Sequence, residues 1–517
     1  MTIRELVAGM FSRTSSGARQ GQLGLRVLGR VVLILLAAVV VTALVDLWAH
    51  GLAPWDLRPT PAAHAALAST VSRAMNNLTA MVLAFIALAV PLTANMYTPR
   101  LIDVFVTDRV NLVVLVFFMV MGAFALFSQA TAVAAWAPTA QYVALAVGGI
   151  TGFVILLPYY LYVLSFLDPD RIIALVAARV TDELPAVQER RRPQRIAQDR
   201  FDSRLRHLGN VILRAVDRAD RDTTLRAIEA LGGVLDEYDR VRDDLPDDWF
   251  DVPRERFTGA SAEALDLIVS ERIWVEHVAL GQLLLAFQGT LARMPDAASA
   301  VSFATRRIAL RTSERGHDAV LRLAVRYFNT YLRASIRKRD GHAIYDVLHQ
   351  YRRLAGELCG TRPDTVAAIA AHLRYYGEFA RLAGVPFVHD LVGYELAELA
   401  ADAHGCSSEA FAGVLDVTLG MAADGGGARL AVSRAVLAAR LADAGDIAAE
   451  ARVADALRHL PVEALAAARD RIARSADAVF WEVTDRQTNL DHVPDALRPH
   501  ALSVLGRAID AAGRGAG

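Results

Sequence analysis

The sequence predicts an all-α protein, a four-span helical transmembrane domain followed by a large cytoplasmic all-helical domain, solenoid-like or a bundle. Three observations predict it. Long stretches before residue 168 carry no charge, although charged residues make up 21% of the 517-residue chain. From Asp168 onward apolar residues recur at helical spacing between Pro- and Gly-bearing breaks. Arginines gather mainly on one side of the uncharged stretches.

The chain is too long for one core and fits two or three domains. A formal net charge of -1 gives no global field that would draw it to nucleic acid. The two cysteines, Cys359 and Cys406, are far apart in sequence and match no metal or redox spacing, so no disulfide framework is expected.

Residues 1–26 read as a cytoplasmic tail and 27–167 as the membrane domain. A spanning helix satisfies its own backbone and covers about 30 Å of hydrocarbon, so it needs about 20 apolar residues. Four stretches qualify, at about 27–48, 75–98, 110–132 and 141–166. The first has an uncharged centre from Val31 to Val45 and is followed by a turn through Pro54, with no small-residue cleavage site. The second lies between Arg73 and Arg100. The third and fourth share one uncharged tract, which Pro138 divides. Tyr159, Tyr160 and Tyr162 fit the aromatic belt at the exit of the fourth. Arg4, Arg13, Arg19, Arg26 and Arg30 precede span one, Arg100 and Arg109 join spans two and three, and Arg171, Arg179 and Arg190 to Arg192 follow span four. The opposite side has Arg58, with Arg73 at its border. This bias places both termini inside, in a multi-pass protein of the cell (inner) membrane whose first partner is the lipid bilayer.

Span two has two unlike faces. Asn76, Ala80, Ala84, Ala87, Pro91, Asn95 and Thr98 share one at helical spacing; Leu78, Val82, Phe85, Ala89 and Met96 share the other. The small face with polar ends suits either close helix packing or the lining of a pore. Pro91 would kink the helix in both cases. Span four carries Ala144, Gly148 and Gly152 at four-residue spacing, a packing face within the chain or between subunits of a homo-oligomer. No Asp, Glu, Lys, Arg or His falls in the core of the spans, which counts against a proton-driven transporter but not against a passive channel.

The segment from Thr93 through Thr98-Pro99-Arg100-Leu101 to Asp108-Arg109 resembles the signature of a bacterial membrane-protein family, the domain-of-unknown-function family 2254. Asp168-Pro169-Asp170-Arg171 is similar to that family's exit segment. A weaker likeness lies at Asp220 and Thr223, where the family has Asn-Asp-Pro-Phe-Thr; here the Asn and the Pro-Phe pair are missing. The resemblance covers roughly residues 30 to 235. It implies the membrane architecture and no activity.

Residues 168–517 are expected to form the cytoplasmic domain, with two sub-domains dividing near 295–365. Leu205, Leu208, Ile212, Ala215 and Val216 make one helical stripe, Leu321, Val325, Phe328 and Leu332 a second, and Val366, Ile369, Ala370 and Leu373 a third. Breaks fall at Pro246, Pro295, Asp340-Gly341, Pro363, Gly384 to Pro386, Gly425 to Gly427 and Pro461. No strict repeat period is visible.

Candidate chemistry is sparse. Lys338 is the only lysine and follows Arg337, so there is no phosphate-binding Gly-Lys loop. Ser335 to Lys338 matches Ser-x-x-Lys, but the partner Lys-Thr-Gly element is missing. His342, His349 and His372 form no His-Glu-x-x-His pair. The acidic run from Asp236 to Asp251 reads as a solvated loop or, less simply, a divalent-ion site without EF-hand order. Arg190, Arg191, Arg192 and Arg195 read as a solvated helix face or a contact for anionic headgroups. The expectation is a non-enzymatic, oligomeric, channel-like protein without cofactor or metal, regulated through a cytoplasmic domain that meets a ligand or a protein partner. The alternative is a membrane-anchored scaffold with no pore.

Overall fold

The computed structural model describes residues 32–46, 48, 59–96, 108–131, 139–164, 168–257, 262–422, 427–475, 477–478 and 489–515. Among these the regular structure is helical, without strands. The chain divides into two compact units, Met1–Ile172 and Ile173–Gly517.

The first unit holds α1 (Val32–Asp46), α2 (Pro61–Met96), α3 (Arg109–Thr131) and α4 (Thr139–Leu164). Among the described residues only α2, α3 and α4 are long and apolar enough to cross a membrane, where four spans were expected. At 1.5 Å per residue the described part of α1 reaches about 22 Å, short of the ~30 Å hydrocarbon core. Residues 27–31, which belong to the expected first span, lie outside the described residues. Helix α2 starts well before residue 75. The Thr60 hydroxyl accepts from the Ala63 N–H at 3.2 Å, and Pro61 takes the first helical position, where its missing N–H leaves no gap. Met75, Leu78, Phe118, Leu145, Tyr159 and Val163 form the centre of this unit.

The second unit begins with α5 (Pro169–Thr181, crossing the division), α6 (Leu184–Gln188), α7 (Gln194–Asp217), α8 (Arg221–Val241), α9 (Ala262–Ser270), α10 (Trp274–Arg293) and α11 (Ala298–Glu314). It continues with α12 (Asp318–Lys338), α13 (Gly341–Leu358), α14 (Pro363–Leu382), α15 (Phe387–His404), α16 (Ser408–Leu419), α17 (Ala428–Asp443), α18 (Ile447–Arg458), α19 (Val462–Arg474) and α20 (Arg498–Gly515). Alternate helices touch. One layer runs α7, α10, α12, α14, α16; the other runs α8, α11, α13, α15, α17 and on to α19 and α20. This is a two-layer stack of helical hairpins, an α-solenoid. The three apolar stripes read from the sequence are all buried in it.

Three of its turns use one device. Ala219, Arg339 and Gly445 take the left-handed conformation, with φ of 54°, 56° and 81°. The next residue, Asp220, Asp340 or Asp446, donates its N–H back to Ala215, Ser335 or Leu441 at 3.0, 3.2 and 2.9 Å. The same aspartates cap the following helix, accepting from Thr223, Ala343 and Ala449 at 3.1, 3.0 and 2.9 Å. One residue pair therefore ends a helix and starts the next, which reverses the chain within a hairpin.

Candidate functional site

Helix α2 is placed by its bulky face. Val71, Met75, Leu78 and Val82 are buried against α3 and α4, and Phe85 and Ile86 join them. The opposite face, Asn76, Ala80, Ala84 and Ala87, is exposed, and Asn77, Met81, Leu83 and Leu88 beside or among them are exposed as well. Pro91 and Asn95 lie within the bounds of α2, but their side chains, and all of Thr98, Pro99 and Arg100, lie outside the described residues. The outward face of α4 is different: Val143, Val147, Ile150, Phe153, Val154 and Leu157 are all exposed and bulky. Lipid tails suit the α4 face. An asparagine and alanine face suits another helix or water.

The glycines of α4 point inward. A side chain at Gly152 would come within 2.7 Å of the end of Met75, and one at Gly148 would collide with Met121, so α4 approaches α2 and α3 closely at both levels. Ala144 packs on the same core. At one end of the bundle the Asp46 carboxylate accepts from the Ala140 N–H at 2.7 Å and caps α4. Ser128 and Gln141 hydrogen-bond at 3.0 Å nearby. At the other end Asp108 caps α3, accepting from the Val110 N–H at 2.9 Å, and takes a hydrogen bond of 2.6 Å from Tyr162. Arg171 lies over the Tyr162 ring, 5.0 Å from its centroid. Three separate sequence segments thus meet at Tyr162.

Residues 21–242 match the family model described as "Predicted membrane protein (DUF2254)". This segment is similar to that family. No curated protein and no solved structure matches the chain. The DUF2254 segment comprises the spans and the solenoid helices through α8. Four of its motif residues now have positions: Asp108 and Asp220 are helix caps, Arg109 opens α3, and Thr223 donates both N–H and hydroxyl to Asp220, at 3.1 and 2.7 Å. Asp220 and Thr223 thus hold a hairpin turn.

Downstream of the DUF2254 segment the second layer of the solenoid carries a groove of about 910 Å³. Phe303, Gln350, His349, Tyr394, Glu398 and Arg440 are among its lining residues. A smaller hollow of about 210 Å³ between α8 and α11 shares Phe303, which is 42% exposed. Charge orders the helices along this face. Asp236 of α8 pairs with Arg311 of α11, and Arg306 of α11 reaches Gln350 of α13 at 2.8 Å. Arg352 of α13 meets Glu395 and Asp402 of α15 at 2.9 and 2.7 Å, and Arg440 of α17 grips both oxygens of Glu398 at 2.7 and 3.0 Å. The groove is a mixed surface, polar along its walls with Phe303 and Tyr394 as apolar footholds, and its arginines are already neutralised. Its residues come from four helices and from Ala478 and the stretch Asn489 to Pro494, so no local motif could have revealed it.

The remaining sequence candidates are spoken for. Arg190, Arg191 and Arg192 pair with Asp248, Glu189 and Glu183, while Arg195 is exposed. The acidic run meets cations: Asp239 pairs with Arg315 and His317, Asp243 with His317 and Asp247 with Arg272. The Ser335 hydroxyl is buried and donates to the Tyr331 carbonyl at 3.0 Å. His372 lies 3.0 Å from the Tyr351 hydroxyl, and burial lowers its pKa. His342 pairs with Asp346 at 3.1 Å.

Proposed function

We propose that the protein is a non-enzymatic, channel-type membrane protein that works as a homo-oligomer. In this reading the copies meet around the outward face of α2, which lines a passive path. The apolar sequence from residue 27 to 48 supplies a fourth span in this reading, and the arginine bias puts both termini and the solenoid on the cytoplasmic side of the inner membrane. The solenoid reads a ligand or a protein partner there and biases the path. The observation that carries the reading is the pair of exposed asparagines, Asn76 and Asn77, with exposed alanines among the bulkier Met81, Leu83 and Leu88 of α2, against an outward face of α4 that carries no exposed asparagine. A helix surrounded by lipid gains nothing from exposed asparagines, whereas a helix facing a copy or a water column does.

The test is single-channel recording of the purified full-length protein in planar bilayers. Discrete steps are expected, with conductance changed by Asn76→Leu. Steps that Asn76→Leu leaves untouched would remove α2 from the lining, and silence across salts, voltages and membrane tension would remove the channel. The second reading, a membrane-anchored scaffold without a pore, is favoured by the groove of about 910 Å³ on the solenoid. A scaffold keeps its cellular role when residues 168–517 are carried by an unrelated membrane anchor, and a channel does not.

A further inference from the structure

The only two cysteines of the chain, remote in sequence, are neighbours in space. Cys359 closes α13 and Cys406 lies in the turn after α15, so the two sit at matching ends of adjacent helices in one layer. The carbonyl of Ala403 ties them together: it accepts from the Cys406 N–H at 3.1 Å and lies 4.0 Å from the Cys359 sulfur. The Cys406 sulfur reaches over Gly360, 3.7 Å from where a side chain there would begin. Cys359 is buried and Cys406 exposed, and both are free thiols.

We propose that Cys359 and Cys406 form a reversible oxidation site, in which Cys406 meets a peroxide and Cys359 resolves the product into an intramolecular disulfide. The Cys406 thiolate attacks one oxygen of the peroxide, the O–O bond breaks and hydroxide leaves, giving a sulfenic acid. The Cys359 sulfur then attacks the Cys406 sulfur, the S–O bond breaks and water leaves. The thiols lose two electrons and two protons, and hydrogen peroxide is reduced to two waters. The division of labour follows from access: burial, with the adjacent Cys406 thiol, pushes Cys359 up to about 12, so it waits as a thiol while the solvent-facing sulfur takes the oxidant. In a reducing compartment such a bridge forms only under an oxidant and reverts afterwards. It ties α13 to α15 beside the Arg352–Asp402 ion pair, and so fixes the spacing of two helices that wall the groove.

The experiment uses purified full-length protein in detergent with hydrogen peroxide as the probe, followed by denaturing maleimide labelling and non-reducing peptide mapping. Both thiols should disappear together, with one cross-linked peptide joining Cys359 to Cys406 within a chain and dithiothreitol restoring both. Cys406→Ser should leave Cys359 fully labelled, and Cys359→Ser should accumulate a sulfenic acid at Cys406 that dimedone traps. Oxidation of Cys406 with Cys359 still labelled in the wild-type protein would overturn the proposal, as would a bridge between Cys406 residues of two copies. The wild-type mapping decides the question even if the buried serine variant fails to fold.

Discussion

The two units pack helix on helix with opposite use of charge. In the membrane unit the described carboxylates stand at or near helix ends, Asp46 and Asp108 as caps, and the helices close up through Gly148 and Gly152. In the solenoid an arginine reaches across nearly every junction of the second layer, from α8 to α17. The difference teaches what each solvent withholds. Between helices in lipid there is no hydrophobic contrast to drive association, so close backbone approach must supply the contact. In water apolar burial supplies the energy, and rim pairs such as Arg440–Glu398, worth about 0–1 kcal/mol, help set the register.

If close approach carries the membrane unit, filling it should do the most damage. The double variant Gly148→Ile, Gly152→Ile is expected to lose on the order of 3–5 kcal/mol, because α4 must leave both Met121 and Met75. Gly152→Ala should lose only about 1 kcal/mol or less, since the end of Met75 can swing aside. Reversible unfolding in mixed detergent micelles gives both values. A double variant as stable as wild type would mean that the glycines are incidental and that the apolar core alone holds the unit.

The next largest effect probes the rim rule from the other side, with an arginine that is not on the rim. Arg434 is buried and donates to the carbonyls of Leu419 and Met421 at 2.9 and 2.8 Å, and to Thr418 and Ala456 at 3.3 Å. It closes the carboxyl end of α16, where four carbonyls have no partner within the helix. Burial lowers its pKa to about 10, so it stays charged at neutral pH. Arg434→Leu should lose about 3 kcal/mol, mostly from stranded carbonyls, while Arg440→Ala on the rim should lose less than about 1 kcal/mol. Equal losses in urea melts would erase the distinction between core and rim.

How much of this was legible in the sequence depends on the range of the interaction. The three apolar stripes and the breaks at Pro246, Pro295, Pro363 and Pro461 were local signals, and helices end or begin at each. The breaks at Ala219-Asp220 and Gly316-His317 were missed, because a left-handed Ala announces nothing and a lone glycine inside an apolar pattern is weak. The solenoid repeats in space but its helices differ in length, so no fixed period survives. Helix α1 was read as a full span because composition continues into residues 27–31. The small face of α2 was legible as a pattern; that it points outward depends on where α3 and α4 sit. The groove and the cysteine pair are products of stacking and left no trace in local spacing.

A smaller effect than those of the double glycine variant and Arg434→Leu, and the most specific, concerns a carboxyl in the solenoid interior. Glu276 of α10 is 2% exposed, with Arg242 at 3.4 Å, and neither of its oxygens has a hydrogen-bond partner among the described residues. Burial pushes it up to about 7 against the pull of Arg242; Asp239 adds to the rise and His317 opposes it. Between its usual 4.5 and about 7 the folded chain holds a proton that the unfolded chain has released. The group's contribution is therefore fully present below pH 4.5 and is lost as pH rises through about 7. Glu276→Gln stays neutral at every pH, so its stability should fall less steeply across that window and exceed wild type above it by about 1–2 kcal/mol. Urea melts of both proteins at half-unit pH steps provide the comparison. Two parallel curves would mean that Arg242 keeps the carboxyl charged in the folded protein, and that the interior of the stack tolerates an ion pair as readily as its rim does.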